Sequence, residues 1–253
     1  MSKRIALITG ATSGIGEATA RILSTNAFDL ILCGRREDRL KSLQAELAVQ
    51  TDVHTLAFDV RDRQATEKAL ASLPDRWKAV DVLINNAGNA HGLDPIQSGN
   101  VDDWDAMMDI NVKGLLYVSR ALMPDMVRRK RGHIINIGSI AGQEVYPKGA
   151  VYCASKFAVD AITKGMRIDL NEAGIKVSIV SPGMVETEFS LVRFKGDADR
   201  AKSVYEGLQP LTAEDIAETI RYILHLPDHV VLTDVTILPR CQASATVVHR
   251  GGW

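Results

Sequence analysis

The sequence predicts an α/β chain: a doubly wound parallel sheet with helices on both faces. Three observations carry that expectation. Short β-rich runs alternate with helical stretches from one end of the chain to the other. Most of these runs are continuously apolar rather than alternating, the pattern of strands buried on both faces. The 253 residues show no internal repeat, low-complexity tract or Pro/Gly-rich linker, so residues 1–253 read as a single domain.

Taken in order, the strand candidates are residues 4–9, 29–34, 53–58, 82–85, 133–138, 176–181 and 231–238, which makes the sheet seven-stranded. Amphipathic segments at 15–26, 39–49 and 65–73 are long enough to cross over between parallel neighbours. Residues 101–127 and 150–171 are apolar over wide faces and need burial. Two stretches fit less neatly. Residues 184–211 carry Glu186, Glu188, Arg193, Lys195 and Asp197 without a strand period, and an insertion of this kind after a strand reads as a lid over a ligand. The tail, 239–253, has no period and leaves two readings open, a frayed end or a segment packed on a neighbouring subunit.

Composition narrows the function classes. With 46% hydrophobic and 24% charged residues, the chain is too apolar and too evenly charged to be disordered. Its 30 Lys+Arg against 31 Asp+Glu leave a net charge of −1, without the basic field that binds nucleic acid. The opening MSKRIALITG is too short for a membrane span and lacks the features of a signal peptide. Cys33, Cys153 and Cys241 are odd in number and widely spaced, which argues against a disulfide framework or zinc site. The histidines lack metal-ligand spacing, so no metal is expected. These totals point to a cytoplasmic protein.

The first strand runs into Thr9-Gly10-Ala11-Thr12-Ser13-Gly14-Ile15-Gly16, after which a helical pattern begins. Such glycines allow a tight turn and bring backbone N–H groups close to a pyrophosphate at a helix N-terminus. The turn alone fits a bare strand-to-helix connection equally well. The strand before it and the helix after it point to a dinucleotide. Nineteen residues beyond Gly16 stand Arg35 and Arg36, at the end of the second strand. A NAD site would place an acid near here for the ribose 2′-hydroxyl, whereas arginine forms a charge-assisted clamp on a 2′-phosphate. The expected coenzyme is therefore NADP(H).

Tyr152 and Lys156 are spaced i and i+4, on one face of a helix. A phenol titrates near ~10, and a neighbouring ammonium would favour its phenolate. Such a tyrosine can protonate a carbonyl oxygen in reduction or take a hydroxyl proton in oxidation. Ser139 closes the strand at 133–138, where open α/β sheets bind ligands, so its hydroxyl could hold a substrate oxygen beside Tyr152.

On these residues the chain resembles the short-chain dehydrogenase/reductase family. The likeness runs from Thr9–Gly16 through Asn85-Asn86-Ala87-Gly88, Asn111, Ser139 and Tyr152/Lys156 to Pro182-Gly183 and Thr187. The resemblance implies a Rossmann fold and a catalytic tetrad of Asn111, Ser139, Tyr152 and Lys156. In that scheme Tyr152 is the acid/base, Ser139 orients the substrate, Lys156 binds the nicotinamide ribose, and Asn111 holds a relay water. Coenzyme contacts are implied for Gly10, Thr12, Ser13, Gly14, Ile15, Gly16, Arg35, Arg36, Asp59, Val60, Asn86, Ala87, Gly88, Tyr152, Lys156, Pro182, Gly183, Val185 and Thr187. Ser13 departs from the basic residue that many NADP-dependent members carry there, which rests phosphate selectivity on Arg35 and Arg36. The resemblance further implies a homotetramer pairing through 101–127 and 150–171.

A closer likeness is to NADP-dependent 3-hydroxy acid dehydrogenases, carried by Cys33 through Leu40, Val185 through Asp197, and Leu226-Pro227. It implies a small anionic substrate of the serine, allo-threonine or 3-hydroxypropionate/malonic semialdehyde type. A carboxylate needs a fixed cation: Arg193 in the lid is the first candidate and Lys148 the second. Sulfoacetaldehyde reductases resemble the same subgroup, so a sulfonate aldehyde is the alternative. A non-catalytic NADP-binding protein is the second alternative, although it would have no need of the tetrad.

Overall fold

The computed structural model describes residues 3–251; the outermost part of the tail, Gly252 and Trp253, lies outside the described residues, as do Met1 and Ser2. Seven strands, β1 (Arg4–Thr9), β2 (Phe28–Gly34), β3 (Val53–Ala57), β4 (Val82–Asn85), β5 (His133–Ile137), β6 (Lys176–Pro182) and β7 (Asp234–Ile237), form one sheet in the order β3-β2-β1-β4-β5-β6-β7. Every pairing is parallel. The helices are α1 (Gly14–Ser24), α2 (Glu37–Leu47), α3 (Arg63–Ala71), the single turn α4 (Asp75–Lys78), α5 (Val101–Met108), α6 (Leu115–Arg129), α7 (Ala150–Leu170), α8 (Glu188–Arg193), α9 (Ala198–Ser203) and α10 (Ala213–Leu224). A π turn, Asp109–Gly114, joins α5 to α6.

Alternate residues of the apolar runs feed two separate cores. Ile5, Leu7, Ile31, Cys33, Leu83 and Ile134 pack under α3, α6 and α7 with Leu70, Leu122 and Met166. Their neighbours Ala6, Ile8, Leu30, Leu32, Ile84 and Ile135 pack under α1, α2 and α10 with Leu23, Leu43 and Ile220. Burial on both faces is why these strands lack polar alternation. β7 departs from that expectation. It spans four residues rather than the expected eight, and its exposure alternates because it is an edge strand.

Strand order reverses between β1 and β4, which opens a crevice beyond the carboxyl ends of the strands. Thr9, Gly34, Asn85, Ile137 and Pro182 end their strands there. Residues 184–211 lie over it and contain α8 and α9. Both ends of that segment are pinned together: Leu211 N–H donates to Met184 O at 2.9 Å, and Glu186 N–H donates to Leu211 O at 2.9 Å. The described part of the tail is ordered rather than frayed, folding back so that Gln242 bridges Val248 in antiparallel fashion. No helix among the described residues is long and apolar enough to cross a membrane.

Candidate active site

The crevice holds a cavity of about 480 Å³ that runs from the β1 turn to the lid. At its first end Gly10 (φ 65°) and Gly14 (φ 53°) occupy the left-handed region that favours glycine. A Cβ at Gly16 would lie 2.4 Å from Gly10 O, so the third glycine closes the helix against the turn. Ser13 is the N-cap of α1, and its hydroxyl makes no capping bond, so the turn presents backbone N–H groups at a helix N-terminus. This backbone cradle fits a pyrophosphate.

The two arginines behave differently. Arg36 folds onto the turn, donating to Thr12 Oγ1 and O and to Ser13 Oγ at 2.8 Å, and it donates to Glu188 at 2.9 Å. Arg35 is 57% exposed, with Asp59 at 3.6 Å. Arg39, which sequence reasoning left without a role, donates to Glu188 at 2.7 Å. Three guanidinium groups and the Ser13 hydroxyl thus meet at the end of β2. Burial works to raise the Asp59 carboxyl, but hydrogen bonds from Arg61 hold it below the usual carboxylate range. Asp59 and Val60 line the same wall, with Val60 packed into the core.

Asn86 lines the cavity, yet its amide is committed to the scaffold: Nδ2 donates to Thr9 O at 2.9 Å and to Gly10 O at 3.2 Å. Thr9 Oγ1 accepts from the N–H groups of both Asn86 and Ala87 at 3.0 Å. These bonds lock the β1 and β4 turns together, leaving Ala87 and Gly88 as the surface. Pro182, Gly183, Val185 and Thr187 form the far wall, and the Thr187 side chain sits 3.3 Å from where a Gly14 Cβ would be.

Tyr152, Ser139 and Lys156 converge in the middle of the cavity. Ser139 starts a 3₁₀ turn after β5, where its Oγ accepts from Ala141 N–H at 3.1 Å, and it lines the cavity together with Tyr152. Burial pushes the Tyr152 phenol well up, the Tyr146 hydroxyl pushes the same way, and Ser139 and Arg193 pull it down. The expected pull of Lys156 on the phenol is not what dominates. The Lys156 ammonium donates to Ile137 O at 2.9 Å and stands 6.0 Å from the Tyr152 ring centre, and burial lowers its pKa to about 8. Asn111 lies outside the cavity lining, behind Gly88, on the π turn. Its side chain accepts from Asn89 N–H at 2.9 Å and donates to Asn89 O at 2.8 Å and to Ser155 Oγ at 3.0 Å. Ser155 Oγ donates on to Tyr152 O at 2.7 Å, so the Asn111 side chain braces the catalytic helix.

The two cation candidates part company. Arg193, on α8, sits in the cavity with its guanidinium 5.4 Å from the Tyr152 ring centre, 5.5 Å from that of Tyr146 and 5.9 Å from that of Phe189. It donates to the Tyr146 hydroxyl and, at 3.2 Å, to Gly92 O. Gly92 N–H returns a bond to Arg193 O at 3.0 Å. Lys148 is not brought into this group. It lies exposed on the turn before α7 with φ 65°, and it lines not the main cavity but a small neighbouring cleft that Tyr152 and Arg193 also border. Backbone direction, not sequence distance from Tyr152, decides that outcome.

Sequence reasoning missed Tyr146, Phe189, Gly92 and Gln242, all of which touch the cavity or its cation. Phe189 packs edge-on against Tyr152 at 5.6 Å. An aromatic at 146 gave one weak signal, a second tyrosine in the short loop between Ser139 and Tyr152.

Residues 4–197 match the family model of the short chain dehydrogenases. The NADP-dependent 3-hydroxy acid dehydrogenase YdfG of Salmonella typhi is 47% identical over 248 residues, covering 97% of this chain and 99% of its own. Sulfoacetaldehyde reductase 2 of Chromohalobacter salexigens is 45% identical over 97% of this chain and 98% of its own. Among solved structures, the closed form of a serine dehydrogenase complexed with NADP+ superposes with a TM-score of 0.92 at 44% identity, covering 97% of this chain and 99% of that one.

Proposed function

This chain belongs to the short-chain dehydrogenase/reductase family, and from that premise we propose that it is an NADP(H)-dependent oxidoreductase acting on a small 3-hydroxy acid or its semialdehyde or keto form. The observation that carries the substrate class is the Arg193 guanidinium, held over the Tyr152 ring by Tyr146 and Gly92. A cation fixed at that distance suits an acid group one or two carbons from the reacting hydroxyl.

The residues fit the coenzyme. The glycine turn and α1 N-terminus would hold the pyrophosphate, Arg35, Arg36 and Ser13 the 2′-phosphate, and the wall from Pro182 to Thr187 the nicotinamide. When bound, the coenzyme supplies the hydride acceptor in oxidation and the hydride donor in reduction. Tyr152 takes the hydroxyl proton in oxidation and returns a proton to the carbonyl oxygen in reduction. Ser139 holds that oxygen next to the phenol. Lys156, anchored on Ile137 O, keeps a positive charge near the phenolate and reaches toward the ribose. Arg193 orients the acid, and residues 184–211 act as the lid that carries it.

The test is a substrate panel with NADP+ and NADPH: L-serine, L-allo-threonine, 3-hydroxypropionate, malonic semialdehyde and sulfoacetaldehyde. Turnover of the hydroxy acids is expected. Turnover of neutral ketones alone would remove the acid-binding role of Arg193. A sulfonate aldehyde is the second reading, favoured by the likeness to sulfoacetaldehyde reductase 2, and the last substrate in the panel decides it.

Two broader features complete the proposal. Leu116, Val127, Phe157 and the 77% exposed Ile168 leave apolar surface on α6 and α7, which suits pairing into a homotetramer. Light scattering of the purified chain tests this. The three cysteines are free and buried, which suits a cytoplasmic setting.

A further inference from the structure

The tail that lacked a sequence pattern is tied to all sides of the substrate end. Gln242 is only 6% exposed although it lines the cavity. Its Oε1 accepts the Met184 N–H at 2.8 Å, and its Nε2 donates to Ser244 O at 3.1 Å. One residue beyond Ser244, Ala245 N–H donates to the Glu144 carboxylate at 2.8 Å, on the loop that follows Ser139. The tail then reaches the far end of the lid segment. Cys241 Sγ donates to Gln209 O at 3.6 Å, Gly251 N–H donates to Gly207 O at 2.9 Å, and Arg250 donates to Val204 O at 3.0 Å and to Glu206 O. One short hairpin therefore bonds the root of the lid, its returning end and the Ser139 loop.

Gly183 shows how closely Gln242 is fitted. A Cβ there would lie 2.2 Å from Gln242 Oε1 and 2.7 Å from a Leu238 methyl. The glycine leaves the space that the glutamine amide fills. Gly183 N–H is itself fixed to Ile237 O at 2.8 Å, so neither backbone nor side chain can slide away. Burying a side-chain amide stabilises only when its polar atoms are paired, and here both are.

We propose that Gln242 is a positioning residue for hydride transfer. Through the Met184 N–H it sets the wall from Pro182 to Thr187 and the root of the lid, and so fixes where Arg193 stands relative to Tyr152. The inference rests on the oxidoreductase reading above, but one of its readouts needs no turnover. Gln242 itself touches no reacting atom.

The experiment uses full-length Gln242→Ala, Gly183→Ala and the double variant. Each single variant is expected to lose about tenfold in kcat/KM for the acid, because misplacement of a bound group by a fraction of an ångström weakens orientation. The pair acts as one unit, so the double variant should be no worse than the poorer single. Amide hydrogen exchange in the coenzyme-free chain should quicken across 184–188 and 204–211 in Gln242→Ala and stay unchanged in β1 and β4. Additive losses in the double variant, or unchanged exchange in the lid segment, would overturn the proposal. Should either variant fail to fold, Glu144→Ala, a surface change that releases the hairpin from the Ser139 loop, must lower kcat/KM about twofold to threefold with an unshifted melting point; no change would overturn it equally. If the wild type turns over no panel acid, the functional reading fails, and the exchange result still decides whether Gln242 holds the lid.

Discussion

At the coenzyme end of the cleft, the groups that face the ligand come from short consecutive runs. Residues 10–16, 35–36, 59–60 and 86–88 each sit just beyond the carboxyl end of a strand, and much of what they offer is backbone. At the substrate end, Gly92, Tyr146 and Arg193 reach one point from three segments, and Gln242 supports them from a fourth. The first end is built by local geometry repeated strand by strand; the second exists only once the chain has folded. This difference explains why one coenzyme class serves a fold that accepts many substrates. The coenzyme end is fixed by turns, whereas the substrate end can be rebuilt by side chains on the lid.

The sharpest way to break the comparison is at the point where the two ends meet. Tyr152→Phe should lower turnover by about 10³-fold or more, leaving NADPH binding within about twofold, as measured by nicotinamide fluorescence and steady-state rates. Retained turnover would remove Tyr152 as the acid/base. The direction of the phenol shift adds a pH test. Because burial raises the Tyr152 pKa above its ordinary value, the phenol stays protonated through neutral pH. Oxidation, which needs the phenolate, should rise about tenfold per pH unit through the neutral range, below the pH of about 8 at which Lys156 loses its proton. Reduction, which needs the phenol, should stay level there. Opposite slopes would reverse the assignment.

Arg193 tests the substrate end alone. Arg193→Ala should raise KM for the hydroxy acid by about 10²-fold, the loss of a charge-assisted pair in a half-enclosed site, and leave a neutral ketone unaffected. Arg193→Lys should restore little, since an ammonium cannot serve Tyr146, Gly92 and a carboxylate with one planar fork. Tyr146→Phe removes one of the two holds on that fork, and about a tenfold rise in the same KM is expected. Equal effects on acid and ketone would show that these residues shape the pocket without reading charge.

The coenzyme end has a smaller counterpart. Arg36→Ala should raise KM for NADPH about tenfold and leave that for NADH unchanged, since only the former carries a 2′-phosphate. Arg35→Ala should do less. Arg35 is more exposed and touches only Asp59, while Arg36 is already ordered on Thr12 and Ser13. A larger loss at Arg35 would move the phosphate site outward.

How far the sequence reached follows the same division. The central strands were legible because two-sided burial writes itself as an unbroken apolar run, and the edge strand β7 was overextended by four residues. Gly10, Gly16, Ser139, Tyr152 and Lys156 were legible because turns and helix registers act over a few residues. Lys148 stands apart from the main cavity because α7 begins only at Ala150, and the turn before it leaves Lys148 exposed. Tyr146 gave only a weak signal and Gln242 none, because their partners lie 47 and 58 residues away. Asn111 was found for the right position, yet its bonding to Ser155 could not be read from spacing.

Glu188 joins the two ends, and it sharpens the comparison with the smallest effect. It opens α8, five residues before Arg193, and receives bonds from Arg36 at 2.9 Å and Arg39 at 2.7 Å across the mouth of the coenzyme end. Hydrogen bonding from Arg39 leads in holding its carboxyl below the usual range, so the link is ionic at neutral pH. All three side chains are more than a third exposed, and water weakens the link accordingly. Glu188→Gln removes a negative charge that shares Arg36 with the 2′-phosphate, while Thr12 and Ser13 still hold that guanidinium in place. KM for NADPH should therefore fall about twofold to threefold and KM for NADH stay constant. The lid loses one tether, so KM for the hydroxy acid should rise by a similar factor. Both changes should shrink in about 0.5 M salt, where the screening length drops to a few ångströms. A fall in both coenzyme KM values would mean that Glu188 hinders closure without touching the phosphate. A salt-independent effect would mean that it acts through packing of α8, and the two ends would then be coupled through the lid's shape rather than its charge.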